Sequence, residues 1–517
     1  MARAPSSGQA TRTILDLVDS LTNLLRATPS HALSPALANY AFFPLSALLR
    51  PPLDGRDRGD RVLEATMHAL AALVVQWRAV GMDARIRQEL WTMTALTLGG
   101  PLDPAGPTKG PAAARAKGKG KALERTEEAE LAMVDALLAL MRPDDCPDRA
   151  RGGDGDDDDP LGERIDWARV DASDPRSFDE PPPRARDPPP PVPILFHTLT
   201  TLLALAAEPT SLLQLQLSSL DALEVLFTEY LAHPAPSATL PPPGAGPSPL
   251  LATALPGTAS TLSRVALSMP SSSTSSEYGK TARRQASPVV VAALRALARV
   301  VVETVGDEVT RSLRSGAGAG RDEEGVRPAT LEELVETSMS SLGLEAAADE
   351  DEADDAHEPP GEPPAPAPPP PLAAAGPVVP TPSWLAFTLT SLSTLFAALS
   401  PLSTHDSAPV RTALVALLSD VLSRCPETLG AHAEILIEGL LALASDEWET
   451  VGAPARHALL AAFARPGSEA AAADDEVQHP LALAARIVQR RLAALPGSLR
   501  RQDEHAVRRG AAIVRTA

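Results

Sequence analysis

Cysteine is nearly absent: Cys146 and Cys425 are the only two in 517 residues, far apart and without a CxxC partner. That excludes a disulfide framework and a thiolate metal site, and it fits a reducing compartment. Aromatic residues are scarce as well, at 3% of the chain. Stretches that alternate apolar and polar residues at strand length are missing, so a sheet has little to form from. No run of 18 or more apolar residues occurs, because the longest candidate, SPVVVAALRALARVVVETVG, is broken by Arg295 and Arg299. The first apolar stretch, TILDLVDSLTNLL, carries Asp16 and Asp19 and does not read as a signal peptide. These absences lead us to expect a soluble protein of the cytoplasm or nucleus with no membrane contact.

Patterns that carry chemistry are missing too. SGAGAGRD (315–322) is glycine-rich, yet it is neither GxGxxG nor GxxxxGK[ST], and it follows a helical pattern rather than a strand. The ten histidines contain no HExxH pair; His432 and His457 fall in separate helices and read as ordinary side chains rather than ligands. There is no GxSxG elbow. No residue is therefore assigned to catalysis, to a cofactor or to a metal. ARRQASP places Arg283 and Arg284 four and three residues before Ser287, a pattern that reads either as a kinase target or as a basic exposed loop.

What is present is Ala, Leu and Val in abundance within an apolar share of 44%, a palette for helix packing. Proline, at 53 residues, is clustered, and clusters mark linkers. The formal charge of −20 is concentrated in GDGDDDDP (153–160) and ADEDEADDAHE (348–358). Direct binding of nucleic acid is not expected of such a chain. The one basic stretch, RAKGKGKALER (115–125), reads either as an anion-binding or nuclear-address segment or, since it has Gly between each Lys and no aromatic to stack on a base, as the flexible solvated linker expected here.

Between the linkers the apolar spacing is helical. Ile14, Leu17, Val18, Leu21, Leu24 and Leu25 form one stripe, and Leu63, Met67, Leu70, Val74 and Trp77 another. Helix starts are signalled by Ser34 before Pro35, Thr381 before Pro382, and Thr330 with Glu333. Near the end two layouts repeat. After a turn at Asp406, Pro409, Val410 and Arg411 open a helix with Leu414, Leu417, Leu418, Val421 and Leu422 inward. Forty positions later, Asp446 precedes a helix from Val451 with Arg456 outward ahead of Leu459 and Phe463. A period of about 40 in paired helices reads as a HEAT array, whose Asp and Arg bond neighbouring turns.

The fold class expected is all-α, a HEAT-like α-solenoid (α-α superhelix) interrupted by long disordered Pro/Gly/acidic loops. We expect HEAT-like helices at 1–100, a basic flexible linker at 101–125, a helix at 126–142 and a disordered acidic and proline-rich insertion at 143–193. HEAT-like helices return at 194–344, with loops near 234–256, 270–287 and 315–328. A second acidic and proline-rich insertion spans 345–380, and HEAT repeats fill 381–517.

YAFFPLSALLR (40–50), then DRVLEATMHALAALVVQW and ELWTMTALTLGGP, resemble the N-terminal region of the Tel-two-interacting protein one family. LPGTASTLSRVAL (255–267), VVVAALRALARVVVETVGDEV (289–309), TPSWLAFTLTSLSTLF (381–396) and RIVQRRLAALPGSLRR (486–501) follow in the family's order. The departures are the long insertions and the end at Ala517, where family members continue through further repeats, so we expect an N-terminal portion with the array truncated. The resemblance implies a scaffold subunit of the TTT co-chaperone complex. Its implied partners are the two other subunits, the heat shock protein 90 machinery and the phosphatidylinositol 3-kinase-related kinases of target-of-rapamycin, ATM and ATR types. An importin-like transport receptor and a phosphatase regulatory subunit are the alternatives. Tyr40, Phe42 and Phe43 are expected to bury against the first helix, with Pro44 interrupting or kinking the second so that Leu45, Leu48 and Leu49 follow the turn of the superhelix.

Overall fold

The computed structural model describes residues 7–29, 32–49, 59–100, 125–142, 189–233, 246–267, 285–316, 378–464, 480–501 and 504–516. Cys146, Arg283 and Arg284, the glycine-rich stretch beyond Gly316, the pair Thr330 and Glu333, and the acidic runs lie outside the described residues. Among the described residues all regular structure is helical. The chain divides into one unit of residues 1–98 with 125–197 and another of 99–124 with 198–517.

The first unit contains α1 (Ser7–Ala27), α2 (Pro35–Leu49), α3 (Asp60–Ala79), α4 (Ala84–Gly99) and α5 (Glu127–Met141). Its centre is α3, on which α1, α2 and α5 all pack. The stripe that places α3 there is Met67, Leu70, Leu73, Val74 and Trp77, all fully buried. Polar ends are tied across helices. Gln76 Nε2 donates to the Leu25 and Thr28 carbonyls at 3.3 and 3.0 Å, tying α3 to the end of α1. Asp60 accepts from Thr126 N at 2.9 Å, and the Thr126 hydroxyl in turn caps α5 at Ala129 N, 3.4 Å.

Ser34 caps α2 through Leu37 N at 3.3 Å, but the aromatic cluster does not bury as expected. Only Phe42 turns inward, its ring tilted 50° against Trp77 at 5.8 Å. Tyr40 is 79% and Phe43 74% exposed, and on α1 the edge residues Leu17 and Leu24 are 66% and 64% exposed. The cause is angular: α2 meets α3 through Ala38, Phe42 and Leu45, and positions 40 and 43 point the opposite way at 100° per residue. Of the two effects expected of Pro44, interruption does not occur, for the helix runs through it to Leu49.

The boundary between units falls in α6 (Val192–Ala207). The second unit continues with α7 (Leu213–Val225), prolonged by a π-helical turn at Leu226–Leu231, then α8 (Pro249–Leu267), α9 (Ser287–Val305) and α10 (Asp307–Gly316). After these come α11 (Pro382–Leu399), α12 (Ala408–Arg424), the single turn α13 (Pro426–Leu429), α14 (Ala433–Ala444), α15 (Glu449–Phe463), α16 (Pro480–Arg500) and α17 (Glu504–Thr516). The loop expected up to 256 stops at Pro249, which sits in the first turn of α8 where its missing N–H has no intrahelical role. Pro256 lies inside that helix, held by buried Leu255, Thr258 and Ala259.

Two rows of helices make up this unit. In one, α7, α9, α12 and α15 pack side by side in that order; in the other, α11 touches α8 and α14. The rows are joined by α8 on α9 and by α14 on α12 and α15. Gly439 on α14 permits the close approach to α12, since a Cβ there would stand 2.7 Å from Leu418 Cδ1. The stretch Pro382–Thr404 is long and apolar enough to cross a bilayer. Its Leu385, Leu389, Leu392, Phe396 and Leu399 are nevertheless buried within the protein, while Thr390, Ser391 and Thr394 face outward, as in a core helix.

Phe42→Ala is expected to cost roughly 2 kcal/mol, below the ~3–5 of a fully buried Phe because the ring is only partly covered. Tyr40→Ala and Phe43→Ala should stay within about 0.5 kcal/mol. Urea midpoints followed by circular dichroism compare the three; equal losses for Phe42 and Phe43 would contradict the orientation of α2.

Candidate functional site

The α7–α9–α12–α15 row presents an outward face, and the turns at its edge fix its register. Arg411, in the first turn of α12, reaches Asp446 in the turn before α15 with Nε–Oδ2 at 2.7 Å and Nη2–Oδ1 at 3.1 Å. Its Nη1 donates to the His405 carbonyl of its own turn. Both side chains are less than 10% exposed. Asp446 also accepts from Trp448 N at 2.9 Å, starting α15. This is the Asp–Arg bond between neighbouring turns expected from the 40-residue repeat. Arg456, further along α15, is exposed, with Nη1 on the Ala444 carbonyl at 2.8 Å and Nη2 on Glu449 at 2.6 Å.

A second edge contact had no signal in local sequence. Asp307, opening α10, accepts from Glu427 N, Thr428 N and the Thr428 hydroxyl at 3.0, 2.8 and 2.6 Å, capping α13 from another helix. Cys425 lies buried beside it. Burial first, and the Asp307 charge second, push its thiol up to about 12, so it carries no thiolate at neutral pH.

Outward from these edges the row presents two adjoining depressions. One, of about 450 Å³ between α12 and α15, has Val415, Ala416, Ala453 and Pro454 on its walls, with Asp420 and His457 at its rim. The other, of about 160 Å³, lies among α7, α9 and α12 and is lined by Glu224, Arg295, Arg299, Asp420 and Arg424. Burial raises the Asp420 carboxyl above its ordinary value, partly offset by the Arg424 and Arg299 guanidiniums. Arg299 Nε pairs with Glu303 at 3.4 Å. The two arginines that break the apolar run of α9 thus mark its outward face. Their i, i+4 spacing, matched by Asp420 and Arg424 on α12, is the sequence signal that could have located the depression.

The histidines do not combine. His457 sits on the rim just described, whereas His432 Nδ1 lies 2.6 Å from Ser393 Oγ. That hydroxyl also donates to the Leu389 carbonyl at 2.8 Å, a bond back onto its own helix. Among the described residues no group of three or more His, Cys, Asp and Glu is placed to hold a metal. Ser287 is the first residue of α9, following Ala286 as N-cap.

The family model described as the TTI1 N-terminal TPR domain matches residues 188–447, half of the chain. No curated protein matches the sequence. The description speaks of TPR helices where the 40-residue spacing reads as HEAT; both are arrays of paired helices, and the buried Arg411–Asp446 bond is the feature anticipated from the longer period.

Asp446→Ala is expected to cost about 3–5 kcal/mol, because Arg411 is left buried and unpaired. In an Arg411→Met background the same change should cost much less; equal costs in both backgrounds, measured by urea titration, would mean that the pair is uncoupled. Asp420 gives a pH test. A raised carboxyl pKa means the folded chain holds the proton more tightly than the unfolded one, so ionisation above about pH 4 costs stability. Asp420→Asn should raise the thermal midpoint at pH 7 and leave it unchanged at pH 3; a lower midpoint at pH 7 would show that the arginines dominate.

Proposed function

The chain belongs to the TTI1 family, and on that membership we propose that it is a non-catalytic helical-repeat scaffold of the TTT co-chaperone complex. In this reading it holds the two other subunits and works in the cytoplasm with the heat shock protein 90 system. Its clients are the phosphatidylinositol 3-kinase-related kinases of target-of-rapamycin, ATM and ATR types, whose maturation and stability depend on it. The family match is the observation that carries the proposal.

Physical features support it. Two rows of helices offer a long surface with many small, shallow contacts, which suits protein partners better than a small substrate. The charged residues on the outward face are spread over successive helices rather than gathered in one cleft, so a partner that crosses several helices would use them together.

Depleting the protein from cells is expected to lower the steady-state amounts of several of these kinases at once while their transcripts stay constant, because unassembled clients are removed by proteolysis. Unchanged kinase levels with mislocalised cargo would instead favour a transport receptor and end the scaffold reading.

A further inference from the structure

α2 carries two apolar stripes, one of which faces α3 through Ala38, Phe42 and Leu45. The other consists of Ala36, Tyr40, Phe43 and Ala47, which recur at intervals of four, three and four and fall within about 60° of arc on the opposite side of the helix. All four are exposed. Tyr40 and Phe43, 79% and 74% exposed, present about 300 Å² between them, since such rings bury ~150–250 Å² each. A helix that is apolar on both sides is normally covered on both. Two features of the exposed stripe select what covers it. Read from either end it is small, aromatic, aromatic, small, so a two-fold axis between positions 40 and 43 sets Tyr against Phe and Ala against Ala. Pro35–Leu49 also contains no charged residue, so the stripe meets a copy of itself without opposing like charges, whereas a partner recognised by charge finds none on this helix.

We infer that a second copy of this chain covers the stripe, with the two α2 helices antiparallel, Tyr40 against Phe43 of the second copy and Ala36 against Ala47 of the second copy. Alternating intervals of four and three make the seam of a coiled coil, in which side chains of one helix seat between those of the other. The alanines at both ends let the axes approach while the rings meet edge to face in the middle. With Leu37 and Pro44 on its flank the face amounts to roughly 450 Å² per copy, so a pair buries ~900 Å², close to the ~1,000 Å² that a specific interface needs. The dimer is accordingly weak, populated at micromolar concentration and dissociated when dilute. The inference stands apart from the scaffold reading, for it uses only the geometry of α2.

Sedimentation equilibrium of the purified full chain between about 1 and 100 μM tests this. The weight-average mass is expected to rise from 54.0 kDa toward twice that value as the concentration increases. Tyr40→Lys and Phe43→Glu, both at exposed positions, should each weaken the dimer about ten-fold or more, with circular dichroism verifying that the variants fold. The double variant, Tyr40→Lys with Phe43→Glu, brings the new lysine of each copy against the new glutamate of the other only in an antiparallel pair, so it should regain most of the lost affinity. A wild-type chain that stays at 54.0 kDa across the range overturns the proposal and leaves the stripe to a different protein. So does a dimer that both single variants retain, which would place the contact elsewhere on the chain. A double variant no stronger than the single ones overturns the antiparallel pairing.

Discussion

In the second unit the determining constraint is that α9 is apolar over most of its circumference and has to be covered on three sides. Val289, Val290, Ala293, Leu294, Leu297, Val300, Val301 and Val305 are all at or below 1% exposed, covered by α7, α8 and α12. A helix with so wide an apolar arc gains little by folding alone; its stability comes from neighbours that remove that arc from water. The narrow strip left over carries Arg295 and Arg299. The same packing that forms the core therefore selects which side chains reach the outward face.

Apolar packing alone leaves helices free to slide, and the polar contacts at their ends remove that freedom. Arg411 and Asp446 form a two-pronged bond that also engages the His405 carbonyl and Trp448 N, so a shift of α12 along α15 would strand a buried charge. Asp307 does the same for α10 against α13. Where the packing is thinner, charge takes a larger share: Glu434 and Glu438 on α14 receive Arg486, Arg490 and Arg491 from α16. Glu438, 6% exposed at its side chain, engages two of the three.

This division between core and edge suits a protein whose work is contact. The helices are fixed by burial and by their turns, which leaves the outward strip under weak structural constraint. Asp420 illustrates the point, for burial raises its carboxyl and its ionisation opposes folding.

The sequence by itself determined whatever depends on residues within a few turns of one another. Helical period, the caps at Ser34 and Thr381, and the Asp406–Asp446 repeat that places the Arg411 bond all have near-neighbour causes. Only tertiary structure decided which arc of each helix is covered, because that depends on chain far away. Tyr40, Phe42 and Phe43 are alike in sequence, yet one packs on Trp77 and two face outward, since α3 meets a single side of α2. Asp307 and Thr428 meet across 121 residues, and Arg491 and Glu438 across 53, separations at which local spacing carries no information about contact.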